Sequence, residues 1–567
     1  MIKNSILSCI ALFLVVDISF ATQERPRIGV VLGGGGALGF AHIGVLKVLE
    51  EQHIPIDCIA GTSMGAIVAG MYASGMSPNE MEQAFLDLDW WDVLRDQSPH
   101  QFLDYRQKID NKRYFGLEFG LQNWKPVFSP GMAYGQKLNN LLGTFAINSA
   151  GIDNFDQLNI PYRAVATDLR SGTSVVLKQG NLAHAMRASM AVPGIFTPVK
   201  MDNMVLVDGG ILNNIPVDVV KDMGADIVIA VDVGASGAEK SKVADFTGLG
   251  DVVGRVYTIM QRPDQERQLA LADVVIAPDL ADVSSSQFHL ASRIIPAGRD
   301  AADNAVEQLK PYAVDQAAYD RYLKKQRHKQ ARQIRITSIT IDGNRTVAEE
   351  AIQKRIHTET GPLDLPDVYD DLKRIYGMGL FQTVTYALTP DAEGYALTYQ
   401  AVEKFWGPTF LHLGMKAEAS TDASLLWSIL VNYTRTQINR LGGEFRLDLE
   451  GGGNIRSFDG EWYQPTSRSG AFFVAPSIML SSETIDFYDG DVVVADIDEE
   501  LAYGKIDAGI SGYEYGEVRL GVLGGYASDA GNLGPIVLDR ETDTVVAATA
   551  GFRLDQLDDP VFAKKGL

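Results

Sequence analysis

The sequence predicts three unlike parts in series: an α/β domain with a largely parallel sheet, a small α+β unit and an all-β segment. Apolar strand and helix patterns alternate from Arg27 to about residue 310, a β-α-α-β-β pattern begins at Ile334, and after Phe405 only short period-two segments follow. The expected spans are a signal peptide over 1–21, the α/β domain over 27–312, a basic linker over 313–333, the small unit over 334–404 and the all-β part over 405–567. A chain of 567 residues has room for three or four domains.

The formal charge is -22, which excludes a nucleic acid partner, because phosphate binding needs a basic face. Met1-Ile2-Lys3-Asn4, the apolar run Ile6 to Val16 and Ser19-Phe20-Ala21 predict a signal peptide cut after Ala21, the run being too short to span a bilayer. Cleavage would remove Cys9 and leave Cys58 alone, so no internal disulfide is expected. Cys58 reads as a small buried apolar residue.

In the first domain Ile56 to Ala60 suits a buried strand, Gly61-Thr62-Ser63-Met64-Gly65 a tight turn, and Ala66 to Ala73 a helix. That is the setting of a G-x-S-x-G nucleophile elbow, with Ser63 at its point. Upstream, Ile28 to Leu32 is a strand and Phe40 to Glu51 a helix, joined by Gly33-Gly34-Gly35-Gly36-Ala37-Leu38-Gly39. The loop satisfies G-x-G-x-x-G, but the acid a dinucleotide site needs at the end of the next strand is replaced by the elbow. An anion site built from backbone N–H groups fits better. Further strands are expected at Arg163 to Ala166, Met204 to Val207, Ile227 to Val231 and Val274 to Ala277. Asp168, Asp208 and Asp232 follow three of them, near the carboxyl edge of the sheet, each able to be a catalytic acid or a turn cap. No histidine stands in a hydrolase-like context, His42 reading as a packing or surface residue, so a serine paired directly with a carboxylate is the leading arrangement.

Gly34-Gly35-Gly36-Ala37-Leu38-Gly39, the elbow, Ala188-Ser189-Met190-Ala191-Val192-Pro193-Gly194-Ile195-Phe196 and Asp208-Gly209-Gly210, in this order, resemble the patatin-like phospholipases. The resemblance implies a Ser63–Asp208 dyad, with the elbow glycines Gly61 and Gly65 and the acid motif Gly209-Gly210 around it. It further implies an oxyanion hole at Gly34, Gly35 and Gly36 with Met64, Gly39 closing the glycine motif. No metal and no cofactor is called for. Leu38 departs from the family, which usually carries Arg or Lys there, and this puts head-group preference in question. Trp90-Trp91-Asp92-Val93-Leu94 and Tyr114 to Phe119 are rich in large apolar residues, as a lid or acyl-chain wall would be, although core packing is the commoner use.

The basic run Arg321 to Arg335 reads as a solvated helical linker, with anionic lipid as the other use. The unit beyond it, with Ile341-Asp342-Gly343-Asn344, Gly379-Leu380-Phe381 and Val402-Glu403-Lys404, is similar to a POTRA domain. The strict alternation of Glu444 to Glu450, with Lys505 to Ile510 and Glu517 to Val522, reads as a transmembrane β-barrel or as a soluble sandwich. Phe552 to Pro560 resembles the bacterial surface antigen barrels, which implies about 16 strands; about 160 residues supply half of these. Truncation, or closure by association into a homo-oligomer, is then expected. The whole order resembles the patatin-type autotransporters. It implies an enzyme acting on phospholipid or lysophospholipid at the outer membrane of a Gram-negative bacterium, its catalytic domain on the cell surface or in the periplasm. The competing reading is a transport or assembly barrel carrying a non-catalytic lipid-binding passenger.

Overall fold

A computed structural model describes residues 25–94, 96, 98–114, 118–128, 131–234, 249–327, 334–418, 426–489, 492–533, 536–560 and 563–566. The expected signal peptide and residues 328–333 of the basic run lie outside the described residues. The first domain carries the strands β1 (Ile28–Leu32), β2 (Cys58–Thr62), β3 (Glu118–Gln122), β4 (Lys125–Val127), β5 (Gly131–Ala133), β6 (Tyr162–Asp168), β7 (Thr173–Leu177), β8 (Gly194–Phe196), β9 (Val199–Met201), β10 (Met204–Asp208), β11 (Ile227–Val231) and β12 (Val274–Ile276). Its first helices are α1 (Ala41–Glu51), α2 (Met64–Ala73), α3 (Pro78–Asp87), α4 (Trp90–Leu94), α5 (Tyr105–Arg113), α6 (Gln136–Phe145) and α7 (Leu182–Ser189).

The main sheet runs β12-β11-β1-β2-β6-β10-β9, with β7 also on β6. All five residues of β1 and of β2 are buried, as central strands between helical layers require. The pairs from β12 to β6 are parallel; β10, β9 and β7 add antiparallel pairs, so the sheet is parallel at its centre and mixed at one edge. Trp90 lies within 5.3 Å, ring to ring, of Phe40, Phe85 and Phe288, and is core rather than lid. Trp91 is exposed. The start of the basic run, Arg321 to Gln326, lies in the helix Gln316–Gln326, which is not merely solvated: Tyr319 and Gln326 are buried, and Gln326 donates to the Tyr72 carbonyl at 2.9 Å.

The small unit adds β13 (Arg335–Asp342), β14 (Gly361–Pro362), β15 (Phe381–Pro390) and β16 (Tyr395–Glu403) around the helices Glu349–Gln353 and Leu365–Tyr376. Its sheet order is β14-β13-β16-β15, with β13 and β16 parallel. Short β14 was not expected from the sequence. The Glu403 carboxylate accepts from the N–H groups of Arg345, Thr346 and Val347 at 2.6 to 3.0 Å, which ties the turn after Asp342 to the end of β16.

The last part supplies β17 (Thr409–Glu418), β18 (Leu426–Arg435), β19 (Glu444–Gly452), β20 (Ile455–Pro465), β21 (Phe472–Asp489), β22 (Val492–Ser511), β23 (Gly516–Leu533) and β24 (Ile536–Leu554). They form an antiparallel meander, one face of which is apolar: Val431, Leu449, Phe458, Leu480, Ala502 and Tyr526 stand in one row across it. The other face is charged, with Glu444, Arg446, Asp448 and Glu450 alternating along β19. Two features run against expectation. The sheet has ten strands, because β3 pairs with β17 and β4 with β3, so Phe119 lies in a strand beside the sheet's edge strand, while Tyr114 of the same stretch is buried as core packing expects. Helix α5, from the same insertion, lies on the charged face. There Arg106 pairs with Glu461 at 2.7 Å, Asp110 with Arg446 at 2.8 Å, and Lys108 donates to the Glu514 carbonyl at 2.6 Å. Among the described residues the sheet is open between β24 and β4. No helix of the described residues is long and apolar enough to cross a membrane.

Candidate active site

Ser63 stands alone between the end of β2 and the start of α2, at φ 55° and ψ -125°, in the left-handed half of backbone space. Such a conformation costs a serine roughly 1–3 kcal/mol and persists only where surrounding structure fixes it. The turn is held by close backbone approach. A Cβ on Gly61 would run into Gly65, and one on Gly65 into the Leu32 carbonyl, so neither position accepts a side chain. Ser189, at the end of α7, completes the support: its hydroxyl accepts from the Ser63 N–H at 2.9 Å and donates to the Val165 carbonyl at 2.6 Å.

Asp208 comes to this point from the opposite direction. Because β10 is antiparallel to β6, it starts beyond the carboxyl edge and descends, so Asp208 lies at the level of Ala166 and not at the edge itself. Thr62 pairs with Val165, which puts Ser63 and Asp208 on the two sides of Ala166. Two strand spacings, about 10 Å, separate their backbones. Ser63 is 7% exposed and Asp208 is 2% exposed. The Asp208 carboxylate accepts from the Gly210 N–H at 2.8 Å, while its own N–H donates to Ala191 at 2.9 Å. Gly209 packs on the Val165 carbonyl.

The other two candidate acids are occupied with structure. The Asp168 carboxylate accepts from the N–H groups of Val205, Arg170 and Ser171, and these bonds hold its pKa down at about 2. Asp232 caps the Gly234 N–H at 2.9 Å. Cys58, buried in β2, has its thiol pushed up to about 11 by burial, which keeps it inert.

The glycine loop is clamped to the segment that follows Asp208. Gly34 donates its N–H to the Asn214 carbonyl and accepts from the Asn214 side chain, both at 3.2 Å; Thr62 donates to the Asn213 carbonyl at 2.9 Å. Neither asparagine stands in a motif the sequence had singled out. Since an amide has one hydrogen, the Gly34 N–H is not a free donor, a correction to the expected oxyanion set. Gly35, Gly36 and Met64 carry no such backbone bond among the described residues. Gly36 has φ 57°, which turns the chain so that Ala37 can donate to the Ser285 carbonyl at 2.8 Å. Gly39 packs on the Met64 side chain, and Leu38 is core. His42 is the packing residue of the two alternatives: fully buried, with its Nε2 2.8 Å from the Gly33 carbonyl and its pKa lowered to about 4 by burial.

The family model for patatin-like phospholipase matches residues 30–221. An uncharacterized NTE family protein of Mycobacterium tuberculosis is 34% identical over 227 residues, which are 39% of this chain and 53% of that protein. Patatin-like phospholipase domain-containing protein 6 of Homo sapiens is 31% identical over 260 residues, 46% of this chain and 16% of the relative. The chain thus spans about half, or less, of the curated relatives it matches. Among solved structures, BamA from Haemophilus ducreyi lacking POTRA domains 1–3 is 15% identical at a TM-score of 0.29, over 42% of this chain and 47% of that one. The elbow, the glycine loop and the acid motif all fall within the matched residues 30–221, and the chain carries a patatin-like phospholipase domain.

Proposed function

We propose that this chain is a serine lipid acyl hydrolase of the phospholipase A or lysophospholipase type, held at a bacterial outer membrane by its C-terminal sheet. The observation that carries the reading is a strained, nearly buried Ser63 whose neighbour across Ala166 is the buried Asp208. In this mechanism Asp208 takes the Ser63 proton as the serine oxygen attacks the ester carbonyl carbon. The N–H groups of Gly35, Gly36 and Met64 hold the oxyanion, and the leaving alkoxide departs as an alcohol with the proton from Asp208. Water, giving its proton to Asp208, then releases the fatty acid and regenerates Ser63.

The membrane part of the proposal rests on the apolar face of the sheet, where Val546 is 82% exposed and Phe552 is 72% exposed. From Val518 to Tyr526 that face runs about 27 Å along β23, which at a tilt of about 40° covers about 21 Å of the ~25 Å apolar band of a transmembrane barrel. An exposed apolar area of this extent marks an interaction surface. The POTRA-like reading of the small unit belongs to the same proposal.

The test is fatty-acid release by the full chain from phospholipid vesicles and from a soluble short-chain ester. Ser63→Ala should abolish it, and Asp208→Asn should lower it about 10²–10⁴-fold while keeping the bond to Gly210. A folded wild-type chain that released nothing from either substrate would replace this reading by that of a lipid-binding passenger.

A further inference from the structure

The insertion that supplies β3 and β4 does more than extend a sheet. Phe119 pairs with Leu411, and Leu411 with Tyr433, so Phe119 lies on the apolar face. The Phe128 ring packs edge-on against it, 5.2 Å away. The hairpin turns at Asn123 and Trp124, at φ 51° and 62°, where glycine would be unstrained and a bulky residue is costly. Trp124 is nevertheless 84% exposed, with exposed Lys125 beside it. Among the described residues its ring has no aromatic or hydrogen-bonding partner that would offset the strain.

The position of the turn along the sheet is informative. β3 runs antiparallel to β17 and passes its first residue, Thr409, so the turn sits at the end of the sheet from which β17 starts. At that end Tyr433, Trp462, Phe472 and Phe552 each stand within three residues of the termini of their strands, all of them on the apolar face. Aromatic rings at such a level form the girdle by which membrane sheets meet the head-group region, with Lys as the usual companion.

We infer that the 118–128 hairpin is an interfacial anchor: it continues the apolar face and its aromatic girdle from the C-terminal sheet into the patatin-like domain, and its partner is the lipid bilayer. This rests on the membrane reading above. Only residues 129 and 130 separate Phe128 from β5, and β5 pairs with β8, next after the helix that ends in Ser189. The hairpin is thus joined through β5 and β8 to the segment that follows Ser189.

The full chain in proteoliposomes tests this, with an environment-sensitive dye placed by cysteine substitution in a Cys9→Ser background, Cys58 being buried. Dye at Trp124→Cys should be quenched by brominated phospholipid as strongly as dye at Val546→Cys, and dye at exposed Ser171→Cys should not. Quenching at 546 without quenching at 124 would overturn the anchor and leave the membrane reading standing; no quenching at either would remove both. In a second arm, Trp124→Gly, which relieves the turn, should lower hydrolysis of vesicle phospholipid several-fold and leave that of the soluble ester unchanged. Equal rates on vesicles would also overturn the anchor.

Discussion

At the scale of single residues, the site is held by groups that never touch a substrate. His42 is one: buried and neutral, it fixes the carbonyl of Gly33 at the root of the glycine loop. Its pKa is lowered to about 4 from 6.5, so below pH 6.5 the unfolded chain binds a proton that the folded chain refuses. The stability due to the neutral ring is complete above pH 6.5 and is lost as pH falls from 6.5 to 4. The loss is about 3 kcal/mol at ~1.4 kcal/mol per pKa unit. Urea midpoints of the α/β domain at pH 7 and pH 4.5, read by proteolytic cleavage of the full chain, should show this drop; His42→Gln should shrink it. The turn at Ser63 was legible in the sequence because the flanking glycines encode its local geometry, whereas Asp208 was set apart from Asp168 and Asp232 only by the family resemblance. Ser189, Asn213 and Asn214 were not legible as supports, since what they support lies 126 to 180 positions away in the chain.

Elements show where pattern reading stops. The strand of Asp208 was visible, but its direction was not: period and composition are the same for a parallel and an antiparallel strand, and direction decides how far Asp208 reaches. The aromatic stretch ending at Phe119 read as wall or core because its partner, β17, lies nearly three hundred residues later. Helix α5 is polar on most sides, a pattern that alone predicts no stable helix. Its partners explain it: Asp110 is buried against Arg446, and the two neutralise each other on the charged face. Asp110→Ala would leave the buried guanidinium only its longer contact with Glu444 at 3.7 Å, at a cost of up to about 3–5 kcal/mol. Docking of α5 should then weaken, measured as faster proteolysis between residues 100 and 113 in the folded chain, and the double variant with Arg446→Met should recover most of the protection.

For the whole molecule the decisive property is the two-faced sheet. Its period-two pattern was plain in the sequence, and so was the number of strands the last part could supply; the two strands donated by the first domain were hidden by distance along the chain. An apolar face standing in water and one standing in lipid predict opposite outcomes at Val522, which is 61% exposed midway along the Val518–Tyr526 run. In water, Val522→Arg would cost next to nothing. In a bilayer it should cost about 2–4 kcal/mol near the midplane, read from urea titrations of the chain refolded into liposomes. The donated strands also change what covalent continuity means here. Since β3 and β4 are hydrogen-bonded into the sheet and α5 is ion-paired to it, the peptide link between the first domain and the small unit is not all that joins the first domain to the rest of the chain. A chain nicked there should sediment as a single particle and separate into two fragments only when denatured, so that release of a free hydrolase requires a cut on both sides of the insertion as well.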